Sequence, residues 1–251
     1  MLLMMTQEVQ KKTEKNNLEA QQGVIDHLEE LRKRIILIAA GWIILSFLSY
    51  FFYESILHYL ILPLQKYQEK PVFTRPTEPF IAAVKLSAFT GGFLNIPNVL
   101  YQVWAFAAPA LVTPREKRAF ALIIWGFPLF FAAGALFAFY IIIPFGMRIL
   151  FSFGKEVMIP LISIGSYLNF ILLFMLVLGI LFNLPVVSGG LASAGIISPA
   201  MLRSKRRYAI VLSFILAAIL TPPDVVTQIF VAVPLIFLYE ISILFSSFFK
   251  N

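Results

Sequence analysis

The chain has 251 residues, of which 60% are hydrophobic and 13% charged, with a mean hydropathy of +0.87. A soluble domain carries roughly 45–50% apolar and about 25% charged residues, so this composition excludes a water-soluble globule and makes lipid the implied solvent. The net charge of +7 sits in short clusters between apolar blocks, which points to membrane orientation and away from nucleic acid.

The residue inventory removes several chemistries. There is no cysteine, so disulfides, thiolate nucleophiles, iron–sulfur clusters and cysteine-bound zinc are excluded. The two histidines, His27 and His58, lie in unrelated segments, and no H-E-x-x-H pair or G-x-x-x-x-G-K-[ST] phosphate loop occurs. No metal, cofactor or catalytic group is expected.

Residues 1–24 read as a polar tail containing Lys11, Lys12 and Lys15, without the apolar core and small-residue cleavage site of a signal peptide. Asp26 and Glu29 follow at capping-box spacing, and Glu29/Lys33 and Glu30/Arg34 form i,i+4 pairs, as at the start of an interfacial helix. Residues 25–251 then form one membrane domain with six apolar blocks, at about 35–53, 79–106, 119–143, 166–187, 208–220 and 225–239. The first four cover the roughly 20 residues that a bilayer requires. The 13 residues 208–220 would span only about 20 Å against a hydrocarbon core of about 30 Å. The last pair is therefore either two short spans across a thinned bilayer or a re-entrant hairpin. The basic run Arg203, Lys205, Arg206 and Arg207 marks a membrane edge before them and favours two spans, joined by the sharp turn Thr221-Pro222-Pro223-Asp224.

Fourteen of the twenty lysines and arginines fall before the first block, between the second and third, between the fourth and fifth, or after the sixth. The positive-inside rule makes that side cytoplasmic and puts both termini there. Pro97, Pro109, Pro128, Pro144, Pro185 and Pro234 lie inside or beside the spans, and each removes a backbone donor. The expected fold class is thus an all-α polytopic membrane protein: six kinked transmembrane helices, the last two short, in a concave bundle.

Tyr101, Trp104 and Phe106 suit an interfacial aromatic belt, and Glu116 with Arg118 suits a solvated helix start. Lys85, near the start of the second span at its outer end, is placed to snorkel to the outer surface, and Glu240 to reach the cytoplasmic interface. Asn183 lies deep in the fourth span, where a polar group is costly and faces protein. Asp224 is placed to cap the sixth span, and Gln228, one turn further on, to share its face.

Three segments carry a specific resemblance: H-L-E-E-L-R-K-R at 27–34, L-Y-Q-V-W-A-F-A-A-P-A-L at 100–111, and L-T-P-P-D-V-V-T-Q at 220–228. In order and spacing they resemble the signature blocks of the TatC family of the twin-arginine protein translocase, from about Asp26 to Phe245. The resemblance implies a receptor for folded proteins whose signal peptides carry two adjacent arginines, working with single-span TatA-like and TatB-like partners, self-associating in the complex, and drawing on the proton-motive force. It implies that Glu30 and Glu116 bind the arginine pair, with Arg32, Phe106 and His27 on the same recognition surface. Carboxylates suit that task because a guanidinium is always charged and offers a planar two-point fork that lysine lacks. The match at Glu116 carries one residue more after Leu111 than the family pattern. Asn183 stands where the family has glutamate or glutamine, at a position implicated in docking the single-span partners. Thr221, Gln228 and Asp224 belong to the same expected docking set.

The main alternative is an ion-coupled small-molecule transporter, which would show paired ionisable groups near mid-membrane or repeated broken helices. An intramembrane hydrolase would need a nucleophile with a base or a held metal.

Overall fold

The computed structural model describes residues 27–65, 71–111, 113–152, 161–221 and 224–249. The polar tail, Asp26 with its capping-box pairing, and the two prolines of the 221–224 turn lie outside the described residues. Lipid offers a backbone no hydrogen bonds, so long apolar runs wind into helices that satisfy their own amides. In chain order these are α1 (His27–Tyr50), α2 (Tyr53–Leu60), α3 (Leu62–Gln65), α4 (Glu78–Leu94), α5 (Ile96–Ala107), α6 (Pro114–Phe137), α7 (Ile143–Leu150), α8 (Ile164–Leu181), α9 (Leu184–Ala194), α10 (Pro199–Ser204), α11 (Arg206–Leu220) and α12 (Val225–Phe248). Among the described residues the only β pairing is an isolated parallel bridge, Val72 with Ser163.

Proline stands at or beside several of the helix breaks. The axis bends by 46° between α4 and α5, at Asn95, with Pro97 in the first turn beyond. Pro185 follows the α8–α9 break in the same way, and Pro128 and Pro234 sit inside α6 and α12. Between α6 and α7 the residues Ala138–Ile142 widen into a π turn just before Pro144. A wider turn accommodates a ring that would otherwise strike the preceding carbonyl. A sharper bend, of 79° between α1 and α2, has no proline and no signal in the sequence pattern.

The six apolar blocks all become helix, but with longer bounds. Pro114–Leu150 runs 37 residues, Ile164–Ala194 runs 31 and Val225–Phe248 runs 24, while the bent pairs α1–α2 and α4–α5 are long and apolar enough for two more when each is taken as one broken span. At 15 residues, α11 is about 22 Å long and is the short one. The sixth helix reaches beyond the expected 239 to Phe248, about 36 Å in all. Only the fifth span is short, and a long α12 does not fit one arm of a re-entrant hairpin. Glu240 suggests a terminus because a charge normally ends an apolar block. Here Arg206 of α11 donates to it at 2.6 Å, and the helix continues.

The core centres on α8, whose Leu168, Ile171, Phe174 and Leu178 are fully buried with Leu86 of α4 and Ile142 of the π turn. Small residues let backbones approach, as is usual between helices in lipid. A Cβ on Gly134 would lie 2.5 Å from the Leu178 carbonyl oxygen. Large apolar side chains such as Trp125 and Phe248 point outward, as a lipid-facing surface requires.

Contacts sort the loops into two faces. On one, His27 meets Phe106, Trp104 meets Phe120, Arg115 donates to the Ser193 carbonyl, and Tyr239 donates to that of Leu202. This is the basic face. On the other, the Tyr167 hydroxyl donates to the Leu60 carbonyl, Val72 exchanges backbone bonds with Ile162 and Ile164, and Glu78 binds the start of α8.

Glu78 clasps this second face. Its carboxylate accepts from Thr74 N–H at 2.7 Å, the Thr74 hydroxyl at 3.0 Å and Gly165 N–H at 2.8 Å. The Thr74 amide, then the Ser163 hydroxyl and the Gly165 amide, favour the ionised form and lower its pKa to about 2. A carboxyl depressed on folding stabilises above its unfolded pKa, near 4.5, and that stabilisation fades as pH falls toward about 2. Glu78→Gln is therefore expected to melt lower than the parent at pH 7 in detergent, with the gap closing as pH drops from 4.5 toward 2.

Candidate functional site on the basic face

The first turns of α1 carry the acidic-basic block that stands out in the sequence. Arg34 donates to one oxygen of Glu30 twice, from Nε at 3.1 Å and from Nη2 at 2.5 Å. Among the described residues the second oxygen, Oε2, accepts no hydrogen bond. The pair is partly exposed, at 39% for Glu30 and 21% for Arg34, so it contributes little stability, about 0–1 kcal/mol, and can be exchanged for another guanidinium. The companion pair Glu29–Lys33 does not form among the described residues.

What holds α1 is a run of amides on α5. Arg34 Nη1 donates to Gln102 Oε1 at 3.2 Å, Gln102 to Asn98 Oδ1 at 3.4 Å, and Asn98 to Asn95 Oδ1 at 3.0 Å. Asn95 Nδ2 then reaches the Ile38 carbonyl of α1 at 3.0 Å. Asn95 and Gln102 are buried. The ladder runs from the charged rim down the α1–α5 seam; Asn95 and Asn98 lie outside the sequence motifs, and Gln102 lies within the 100–111 segment without being among the expected site residues. The signal is nonetheless present: positions 95, 98 and 102 stand at i, i+3 and i+7, one polar face on an otherwise apolar segment.

Aromatic stacking completes the junction. The His27 ring lies on Phe106 with centroids 4.4 Å apart and planes 19° from parallel. On α5, Trp104 stacks on Phe120 of α6 at 5.5 Å. Phe120 is one turn beyond Glu116, so α1, α5 and α6 bring Glu30 and Glu116 to the same end of the bundle. Glu116 sits at the third position of α6 in a reciprocal capping box: its amide donates to Thr113 Oγ1 at 3.2 Å and its Oε2 accepts from Thr113 N–H at 3.3 Å. That box fixes the carboxylate at the helix start. Arg32 is not part of this group. It is exposed and about 200° around α1 from Glu30.

The second set of expected residues does not assemble into one site. Asn183 is 2% exposed at the α8–α9 break. Its Nδ2 donates to the Gly179 carbonyl at 2.8 Å, while Oδ1 is buried with no partner among the described residues. Ser188, just below it, donates to the Ser242 carbonyl of α12, which sets Asn183 far from the 221–224 turn. At that turn Asp224 caps α12, accepting from Thr227 N–H at 2.8 Å and from the Thr227 hydroxyl. Gln228 instead reaches across to the Phe214 carbonyl of α11 at 3.2 Å, and Thr221 donates to the Ala217 carbonyl at 2.9 Å. Asp224 and Gln228 therefore serve different partners. Thr227, which lies in the 220–228 segment but is not among the expected docking residues, is the residue that Asp224 holds.

The comparisons with known proteins agree with one another. The family model described as "Sec-independent protein translocase protein (TatC)" matches residues 26–234. The Sec-independent protein translocase protein TatC of Carboxydothermus hydrogenoformans is 40% identical over 228 residues, covering 90% of this chain and 93% of that protein. Its counterpart in Aquifex aeolicus is 39% identical over 222 residues, covering 87% and 92%. A solved structure described as the twin arginine translocase receptor TatC superposes with a TM-score of 0.76 at 37% identity, over 90% of this chain and 100% of that one.

The amide ladder predicts a stability effect. Gln102→Leu would leave Arg34 Nη1 and Asn98 Oδ1 without their partner, at a cost of about 1–3 kcal/mol. Thermal unfolding of the purified protein in detergent is expected to show a lowered midpoint, whereas Arg32→Gln, on the open face of α1, is expected to leave it unchanged.

Proposed function

Since this chain belongs to the TatC family of Sec-independent protein translocase proteins, we propose that it is the subunit that reads twin-arginine signal peptides and forms the core on which folded proteins are exported. The observation that carries this reading is the junction on the basic face. Two carboxylates from separate helix starts stand at one end of the bundle: Glu30, one turn from His27 of the His27–Phe106 stack, and Glu116, one turn from Phe120 of the Trp104–Phe120 stack.

The chemistry suits an arginine pair. Glu30 already grips one guanidinium, that of Arg34, through a single oxygen. An incoming arginine takes the second oxygen or displaces Arg34 in a near-isoenergetic exchange, since partly exposed pairs of this kind are weak. The planar fork of arginine satisfies a carboxylate at two points, and the point charge of lysine does not. His27 and Phe106 offer a stacked aromatic surface on which a guanidinium plane or the residue beside it rests. Arg32, on the open face of α1, lies outside the contact with the arginine pair.

The clustered lysines and arginines favour an inner-membrane setting with this face and both termini in the cytoplasm. Asn183 and the 221–228 turn are the proposed contacts for TatA-like and TatB-like single-span partners, at two separate levels of the bundle. Asn183 hydrogen-bonds but does not ionise, so a proton relay at this position is not part of the reading. The transmembrane proton-motive force supplies the energy. Family membership leaves the small-molecule transporter without support.

In cells lacking their own receptor, this chain is expected to export a folded reporter bearing an arginine-pair signal and to export a lysine-pair version far less. Glu30→Ala combined with Glu116→Ala is expected to reduce export at least tenfold at unchanged membrane abundance. Undiminished export by the double variant would remove the assignment of both residues.

A further inference from the structure

A second feature of the basic face lies on the other side of α6 from Glu116. An open cleft of about 920 Å³ separates the start of α6 from the end of α12, lined among others by Arg115, Arg118, Trp125, Phe248 and Phe249. Around a helix, Arg118 and Trp125 stand about 180–200° from Glu116, so the cleft and the carboxylate junction use opposite faces of α6. Among the described residues no carboxylate lines it.

The two arginines are presented differently. Arg115 is anchored, with Nε donating to the Ser193 carbonyl at the end of α9 at 2.5 Å. Arg118 is exposed and forms no ion pair among the described residues. Below them the walls are apolar and open sideways: Trp125 is 81% exposed and Phe248 83% exposed. Trp125 is two turns from Arg118, about 10 Å along the helix. An occupant must therefore be anionic at one end and apolar for at least that length. The volume falls in the range of about 300–1,000 Å³ typical of small-molecule sites.

We propose that this cleft binds an anionic phospholipid, with its headgroup phosphate on Arg118 and Arg115 and its acyl chains along Trp125 and Phe248. Basic pockets between membrane helices at the inner surface favour such headgroups by charge, and arginine binds phosphate oxygens at two points. A soluble phosphate would use the arginines but not the apolar wall. A partner's membrane helix would use the wall but would gain nothing from the arginines.

The purified chain, titrated with phosphatidylglycerol or phosphatidylcholine in detergent, can be read by native mass spectrometry. In nanodiscs, brominated phosphatidylglycerol should quench Trp125, with Trp125→Phe isolating its signal from Trp42 and Trp104. The parent is expected to retain phosphatidylglycerol in preference to phosphatidylcholine. Arg118→Gln, which removes no ion pair or side-chain hydrogen bond among the described residues, should cut that preference about fivefold, the effect of one basic residue near an anionic surface. Arg203→Gln, in the other basic cluster, should leave it unchanged, and excess inorganic phosphate should not displace the lipid. Equal retention of the two lipids, an unaltered preference in Arg118→Gln, an equal loss in Arg203→Gln, or displacement by inorganic phosphate would each overturn the proposal.

Discussion

Within hydrocarbon a polar group has no water to fall back on, so each must find its partner in the protein. The seam between α1 and α5 is where this constraint acts most strongly. Asn95, Asn98 and Gln102 satisfy one another, the carbonyl of Ile38 and the guanidinium of Arg34. Because the ladder ends on the Glu30–Arg34 pair, the polar bonding that joins two helices also sets the position of a charged group at the membrane surface. The His27–Phe106 and Trp104–Phe120 stacks extend that order to α6.

The same constraint separates settled polar groups from unsettled ones. Asp224, Thr221, Ser188 and Gln228 all have partners and read first as parts of the scaffold. The Asn183 carbonyl oxygen has none among the described residues, though it is buried. Leaving such an acceptor unpaired costs about 1–3 kcal/mol. A group in that state, at a break beside Pro185, is suited to receive a donor from a helix that joins the bundle. On the proposed reading this distinguishes Asn183 from the turn residues as a docking contact, and it does so without an ionisable side chain.

Much of the architecture is legible in the sequence because hydropathy and backbone chemistry act locally. The six apolar blocks, the proline-linked bends, the Asp224 cap and the Glu30–Arg34 pair each follow from residues within a turn or two of one another. The differences between pattern and structure arise from partners distant in sequence. Glu240 suggests too early an end to the sixth span because its counter-ion, Arg206, lies 34 residues earlier. The 79° bend after α1 has no local breaker. At the site, the Glu30 and Glu116 positions emerge from a family resemblance, and no spacing rule joins them. The junction forms because His27 finds Phe106 across two helices. Gln102, by contrast, is readable from its helical period but sits in a segment whose aromatic residues dominate the pattern.

Discrimination of a guanidinium pair from an ammonium pair rests, on this reading, with Glu30 and Glu116 acting together. It can be measured as the affinity of the purified chain for a fluorescent twin-arginine signal peptide and for its twin-lysine counterpart, in the parent and in Glu30→Gln/Glu116→Gln. Tighter binding of the arginine peptide by the parent is expected, with near-equal, weak binding of both peptides by the double variant. An arginine preference that survives loss of both carboxylates would contradict the assignment.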